Sequence, residues 1–322
     1  MKLWVTDIKR HVAMWSARLG HLNWWPKYVY HFTDIHNAVA ILKSGYLYSR
    51  NEVRRRGLME VDNASSEIIQ RTKPEHLSYA RLYFRPRTPT QYSNEGIRPL
   101  NRRELGGAHC PIPIHFCFDA LTVLAREDTE FSNGNMGSAS SSHSLERDFF
   151  LQIPFDLVFH NGAFSPEQRD KIIFHRNAEV LIPASLSLEP ALKFIACRST
   201  AERQTLLHLL PVDLHQQWMP YIRLGEQGLF ERKWTYVEEV VTVNDKLTFR
   251  FNPNTLTPGP FQVSFSYREV DENFERTWKG EQKTLNNLLS IRIPNAVWGT
   301  AALSLDGALA FAAPISFKEI SF

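Results

Sequence analysis

Cysteine is scarce in this chain: Cys110, Cys117 and Cys197 are the three present among 322 residues. An odd number without metal-ligand spacing argues against a disulfide framework and a thiolate metal site. It fits a reducing cytoplasm in which all three are buried, inert thiols. No apolar run approaches the roughly 18 residues of a membrane-spanning helix. The opening Met1-Lys2-Leu3-Trp4-Val5-Thr6-Asp7 carries an acid and lacks a signal-peptide apolar region. There is no Gly-x-Gly-x-x-Gly, so nothing supports a Rossmann dinucleotide site. Charge of one sign is also lacking overall, with 37 Lys+Arg against 34 Asp+Glu.

That balance hides an asymmetry. Residues 1–110 hold 18 Lys+Arg and 9 Asp+Glu, whereas the remainder holds 19 and 25. A basic first part points to a polyanion site there, although a plain basic surface gives the same count. The length suggests two domains. The texture changes near residues 210–230. Before it, strands such as 28–32, 81–84, 111–118, 180–182 and 194–197 alternate with helical patterns. Among the latter, Ile35, Ala38, Val39, Ile41 and Leu42 form an apolar face behind a Thr33 or Asp34 cap, ended by Gly45. Ser199 and Glu202 form a capping box for a helix reaching about Leu210. After it, short alternating runs separated by Asn-Pro, Pro-Gly and Asp-Gly turns predict a small β-sandwich. The expected division is therefore 1–215 and 216–322. Residues 132–144, rich in Ser, Gly and Asn, read as a mobile polar loop.

Residues 80–92 are the densest in chemistry. The predicted strand Arg81-Leu82-Tyr83-Phe84 runs into a turn, Arg85-Pro86-Arg87-Thr88-Pro89, whose prolines fix the backbone. Arginines and aromatic rings held together suit a phosphate-bearing ligand with stackable bases. His31, on a strand, equally suits a core histidine, and Arg71 a surface position. Glu179 opens the apolar strand Glu179-Val180-Leu181-Ile182. An acid at the mouth of a buried strand suits catalysis. The competing reading is a strand-edge carboxylate paired with Arg176.

Three segments occur in order: Tyr30-His31-Phe32-Thr33-Asp34, Arg81-Leu82-Tyr83-Phe84-Arg85-Pro86-Arg87-Thr88-Pro89, and His175-Arg176-Asn177-Ala178-Glu179-Val180-Leu181-Ile182-Pro183. Together they resemble the DarT family of bacterial toxins, ADP-ribosyltransferases acting on single-stranded DNA, over roughly residues 25–205. The resemblance implies an α+β fold, a split and twisted β-core with flanking helices and an NAD cleft between. The C-terminal β-sandwich lies outside the pattern. The resemblance also implies roles. Glu179 matches the catalytic glutamate. His31, Thr33, Arg71, Tyr83 and Phe84 match NAD-binding positions, with Arg54, Arg55 and Arg56 as rivals to Arg71. Arg85, Arg87 and Arg176 fall on the nucleic-acid side. No metal is called for.

The implied function is a cytoplasmic toxin that moves ADP-ribose from NAD to a base of single-stranded nucleic acid. DNA is favoured over RNA, and a role in phage defence is one setting. The approach to the catalytic strand, His175-Arg176-Asn177, departs from the family's basic and glutamine residues, which leaves the base and the polymer open. Transfer to messenger RNA or to protein, and a non-enzymatic nucleotide-binding module, are the rival readings. A toxin further implies an antitoxin, for which a macrodomain protein is one form, and a chaperone is a further partner; no membrane is involved.

Overall fold

The computed structural model describes residues 1–58, 73–103, 109–269, 275–282 and 287–317. Its larger body is built on an eight-stranded sheet in the order β10-β9-β4-β1-β3-β7-β5-β6. In chain order these strands are β1 (Tyr28–Asp34), β3 (Tyr79–Tyr83), β4 (Pro113–Asp119), β5 (Glu130–Ser132), β6 (His143–Ser144), β7 (Glu179–Pro183), β9 (Leu192–Cys197) and β10 (Ile222–Leu224). A small ribbon of β2 (Tyr46–Tyr48) and β8 (Ser185–Ser187) stands apart. All pairings in the large sheet are antiparallel except β9–β10. The architecture is thus α+β, as expected. The strand expected at 81–84 begins and ends earlier, because Tyr79 and Ala80 pair with Pro183 and Ile182 while Phe84 turns away from the ladder.

One face of the sheet is buried under helices. Val29, Ala80, Leu82, Ile114, Phe116, Phe118, Val180 and Ile182 join the helical residues Ile8, Trp15, Ala38, Leu42 and Phe155 in one core. An N-terminal helix, Val5–Arg18, lays His11 and Trp15 against Phe155. The helix Ile35–Ser44 is started by Asp34, whose carboxylate accepts from the His36 N–H at 3.0 Å. It stops at Gly45, where φ is +72° and a side chain would be strained.

β1 and β3 are joined at a single pair, Tyr30 opposite Tyr83, whereas β1 pairs with β4 over all seven of its residues. The sheet is therefore split between β1 and β3, and that opening positions the site.

The second body, residues 237–316, packs a three-stranded sheet against a four-stranded one. The first holds β11 (Val237–Val243), β12 (Lys246–Phe251) and β15 (Leu288–Arg292). The second holds β13 (Phe261–Glu269), β14 (Glu275–Gln282), β16 (Trp298–Leu305) and β17 (Ala308–Ser316). Phe249 of the first sheet meets Phe265 and Phe311 of the second edge-on, 6.0 and 5.6 Å away, which makes it a sandwich. Ile97 and Ala201 from the larger body complete its core. β10, Ile222–Leu224, belongs to the large sheet, and Trp218 joins the larger body's core.

Candidate active site

Cross-strand pairing places Tyr83 directly opposite Glu179, and Arg81 opposite Leu181. Side chains alternate along a strand, so Arg81, Tyr83 and Glu179 share one face, the one away from the helical core. There Arg81 grips Glu179 with two parallel contacts, Nε to Oε2 and Nη2 to Oε1. Glu179 is 1% exposed, and its backbone N–H donates to Ser132 Oγ at 2.8 Å. The partner anticipated for a strand-edge carboxylate, Arg176, does not take that part. It donates instead to His160 Nδ1 at 2.9 Å and to the Gly162 carbonyl at 3.2 Å. Burial opposes the charge on Arg81, but Glu179 outweighs it and raises the guanidinium pKa.

Tyr30 is the β1 residue opposite Tyr83, so His31 and Thr33 lie on the other face of β1, with Val29 and opposite Phe116 and Ile114 of the helical core. From that side His31 reaches Arg81 at the split. Its Nδ1 lies 3.0 Å from the Arg81 carbonyl, which can only accept. Nδ1 therefore carries the proton, and Nε2 is left as an acceptor. Burial pushes the imidazole pKa down to about 4, so the ring is neutral near pH 7. Thr33, on the same face of β1, is buried, and its hydroxyl accepts from Asn37 Nδ2 at 3.3 Å. Tyr83 stacks on Phe32 with ring centres 6.4 Å apart. Burial and the Glu179 charge both raise its phenol pKa.

Two of the expected residues, Phe84 and Arg85, point inward. Phe84 is 3% exposed and packs edge-on against Phe155 at 5.1 Å, so it backs the cleft without lining it. Arg85 is 1% exposed, donates to the carbonyls of Pro86 (2.9 Å), Val158 (3.0 Å) and His160, and lies over the Trp25 ring. It pins a loop through Nε and Nη1 and is almost wholly buried. Arg87, at φ +55°, turns the other way. Its backbone N–H is held by Gln91 Oε1 at 2.8 Å, and its Nη2 meets Glu231 Oε2 at 3.2 Å. The Nε atoms of Arg87 and Arg176 are both buried without an acceptor among the described residues. Arg71 lies outside the described residues. Of its rivals, Arg55 and Arg56 are exposed and paired with Glu52.

The polar segment 132–144 is not a free loop but a wall of the site. Its ends pair as β5 and β6, its Asn135 N–H donates to the Phe174 carbonyl at 3.0 Å, and its Asn133 carbonyl holds His175 Nδ1 at 2.6 Å. Gly134 lies so close to the Phe174 ring that a Cβ would come within 2.3 Å of it. This places the Met136 N–H 3.5 Å from Glu179 Oε1. Ser132, Met136 and Arg81 are the site residues that sequence reasoning missed. Only Arg81 left a signal, as a charge two residues from Tyr83 on one strand face.

Residues 30–223 match the profile of the family described as "ssDNA thymidine ADP-ribosyltransferase, DarT". No curated protein matches. Solved structures of DarT from Thermus sp. 2.9 are similar to this chain. The complex with ADP-ribosylated ssDNA is 20% identical, with a TM-score of 0.47, over 62% of this chain and 92% of that one. The complex with NAD+ is 19% identical, with a TM-score of 0.45, over 62% and 93%.

Proposed function

Because the chain belongs to the DarT family of single-stranded-DNA thymidine ADP-ribosyltransferases, which are NAD-dependent enzymes, we propose that it attaches ADP-ribose from NAD to a thymine base in single-stranded DNA and releases nicotinamide. The observation that carries this reading is Glu179, buried at a strand mouth beside the split in the sheet and aimed by Arg81.

The residues fit the donor. Glu179 stabilises the positive charge that develops at the ribose C1′ as nicotinamide departs, and takes the proton that the attacking base nitrogen gives up. Neutral His31, entering at the split from the other face of β1, is assigned to a ribose hydroxyl through Nε2, with Thr33 beside it. Tyr83 presents a ring for stacking on nicotinamide. Arg71 is assigned to the pyrophosphate, for which a guanidinium fork is suited. Arg87, whose side chain is 29% exposed, and the part-buried Arg176 are assigned to phosphates of the strand. Phe84 and Arg85 support these groups from behind.

Residues up to the end of β10 form the transferase domain, and the sandwich is an accessory domain. Covalent marks on DNA bases are toxic to the cell that makes them. The chain therefore acts as a cytoplasmic toxin restrained by an antitoxin, a macrodomain protein that removes the mark being the fitting type, and phage defence is its setting. Among the described residues, no helix is long and apolar enough to cross a membrane.

The test is to incubate the full chain with labelled NAD and single-stranded DNA or RNA oligonucleotides of each base. Label on thymidine-containing DNA that vanishes with Glu179→Ala supports the reading. Label confined to RNA redirects it, and no label on either polymer ends it.

A further inference from the structure

The residues that follow the family match return to the site. After β10, Gly225 donates to the Cys197 carbonyl at 2.9 Å, and Gly228 adopts φ +89°. Leu229 and Phe230 then pack on the sheet face that carries Tyr30, Cys117 and Phe194, with Phe230 edge-on to His115 at 5.0 Å. This is the face of Tyr83 and Glu179. The strap is held by its backbone. Glu95, 0% exposed, accepts from the N–H groups of Glu231 and Arg232, both at 2.9 Å. Gln91 donates to Glu95 at 2.9 Å and to the Leu229 carbonyl at 3.0 Å, and the same side chain accepts from Arg87 N–H. One buried glutamine thus fixes both Arg87 and the strap.

The consequence falls on Glu231. Its side chain is 7% exposed while that of Arg87 is 29% exposed, so the carboxylate sits beneath the guanidinium and not in front of it. Arg87 is the guanidinium paired with this acid, whose charge also acts on Arg85 and Arg176. The backbone of Glu231 is fixed by Glu95, which sets the point from which its side chain reaches Arg87.

We propose that Glu231 is a positioning residue for the nucleic-acid strand. It holds the Arg87 guanidinium in the orientation that a strand phosphate meets, which makes the segment joining the two bodies a working part of the transferase. This rests on the reading of Arg87 as a strand contact. An arginine held in place binds without the cost of ordering its flexible side chain, a gain of about tenfold in affinity.

The experiment measures the KM and kcat of the full chain for a single-stranded oligonucleotide, and the Kd by fluorescence anisotropy, for Glu231→Ala, Glu231→Gln, Arg87→Ala and the double variants. Glu231→Ala is expected to raise KM and Kd about tenfold with a much smaller change in kcat. Glu231→Gln, which keeps an acceptor, should recover part of the loss, and each double variant should be no worse than Arg87→Ala alone. If the alanine variant fails to fold, the glutamine variant decides. A rise in Kd that disappears in the Arg87→Ala background supports the proposal, and an additive rise overturns it. If Arg87→Ala weakens binding while Glu231→Ala leaves it unchanged or tightens it, the inference fails and the reading of Arg87 stands. If Arg87→Ala has no effect on binding, both fall.

Discussion

Arg81 joins two parts of the site with one residue: its guanidinium clamps both oxygens of Glu179, and its backbone carbonyl holds His31 Nδ1 at 3.0 Å across the split sheet. The acid is thereby oriented before any ligand arrives, and the histidine tautomer is set by a main-chain group that no substitution at position 81 removes.

The Glu179 carboxylate should be indispensable. Glu179→Gln keeps the shape but removes the charge that meets the developing cation at C1′. Transfer to DNA should fall by about a thousandfold, corresponding to roughly 4 kcal/mol of transition-state stabilisation. Labelled-NAD incorporation measures this, and a variant of near wild-type rate would remove Glu179 from the chemistry.

Arg81→Ala strands a buried carboxylate. Breaking a fully buried pair costs about 3–5 kcal/mol. Because the Arg81 side chain is 30% exposed, water can recover part of it, and about 2–3 kcal/mol is expected. Urea denaturation would report it. Arg81→Lys supplies the charge without the fork and should regain stability better than it regains transfer, since a single ammonium cannot aim both oxygens.

The two arginines of the Arg-Pro-Arg turn have opposite fates, and so do their predicted phenotypes. Arg85 is a loop pin with carbonyl partners, so Arg85→Ala should lower stability. Arg87 keeps a side chain 29% exposed beside the strap, so Arg87→Ala should weaken nucleic-acid modification more than NAD hydrolysis. Parallel assays on one preparation, with and without oligonucleotide, separate the two. Equal losses in both would end the division of labour.

Much of this was legible in the sequence, and the reason differs by residue. Asp34, Gly45, Ser199 and the strand at Val180 are set by neighbours within a few positions, and caps, turns and apolar alternation are local signals. The reach of Arg81 to Glu179, 98 residues away, depends on the register of β3 against β7, which no local pattern encodes. Phe84 and Arg85 match cleft positions of the family motif, yet both are buried. The strand ends at Tyr83, and the change of direction turns both side chains inward. The segment 132–144 looked mobile because its composition is polar, yet backbone groups hold it to Phe174 and His175. Glu231 left no signal at all, since its place depends on a buried Glu95 136 residues earlier in the chain.

Acid should destabilise the fold through its buried histidines, and His115 isolates the effect. Its ring is 1% exposed, both of its nitrogens lack partners among the described residues, and burial with the nearby His31 pushes its pKa down to about 3. In the unfolded chain the same ring takes up a proton near pH 6.5. Between those values the unfolded state binds more protons, so the contribution of His115 is fully present above about 6.5 and is lost as the pH falls towards about 3. His115→Phe keeps an aromatic ring against Phe230 and cannot be protonated. The variant should gain on wild type by about 2 kcal/mol between pH 6.5 and 5, at roughly 1.4 kcal/mol per pH unit. Urea midpoints of the two proteins across that range measure it. A difference independent of pH would mean that native His115 titrates normally and is not sealed from water.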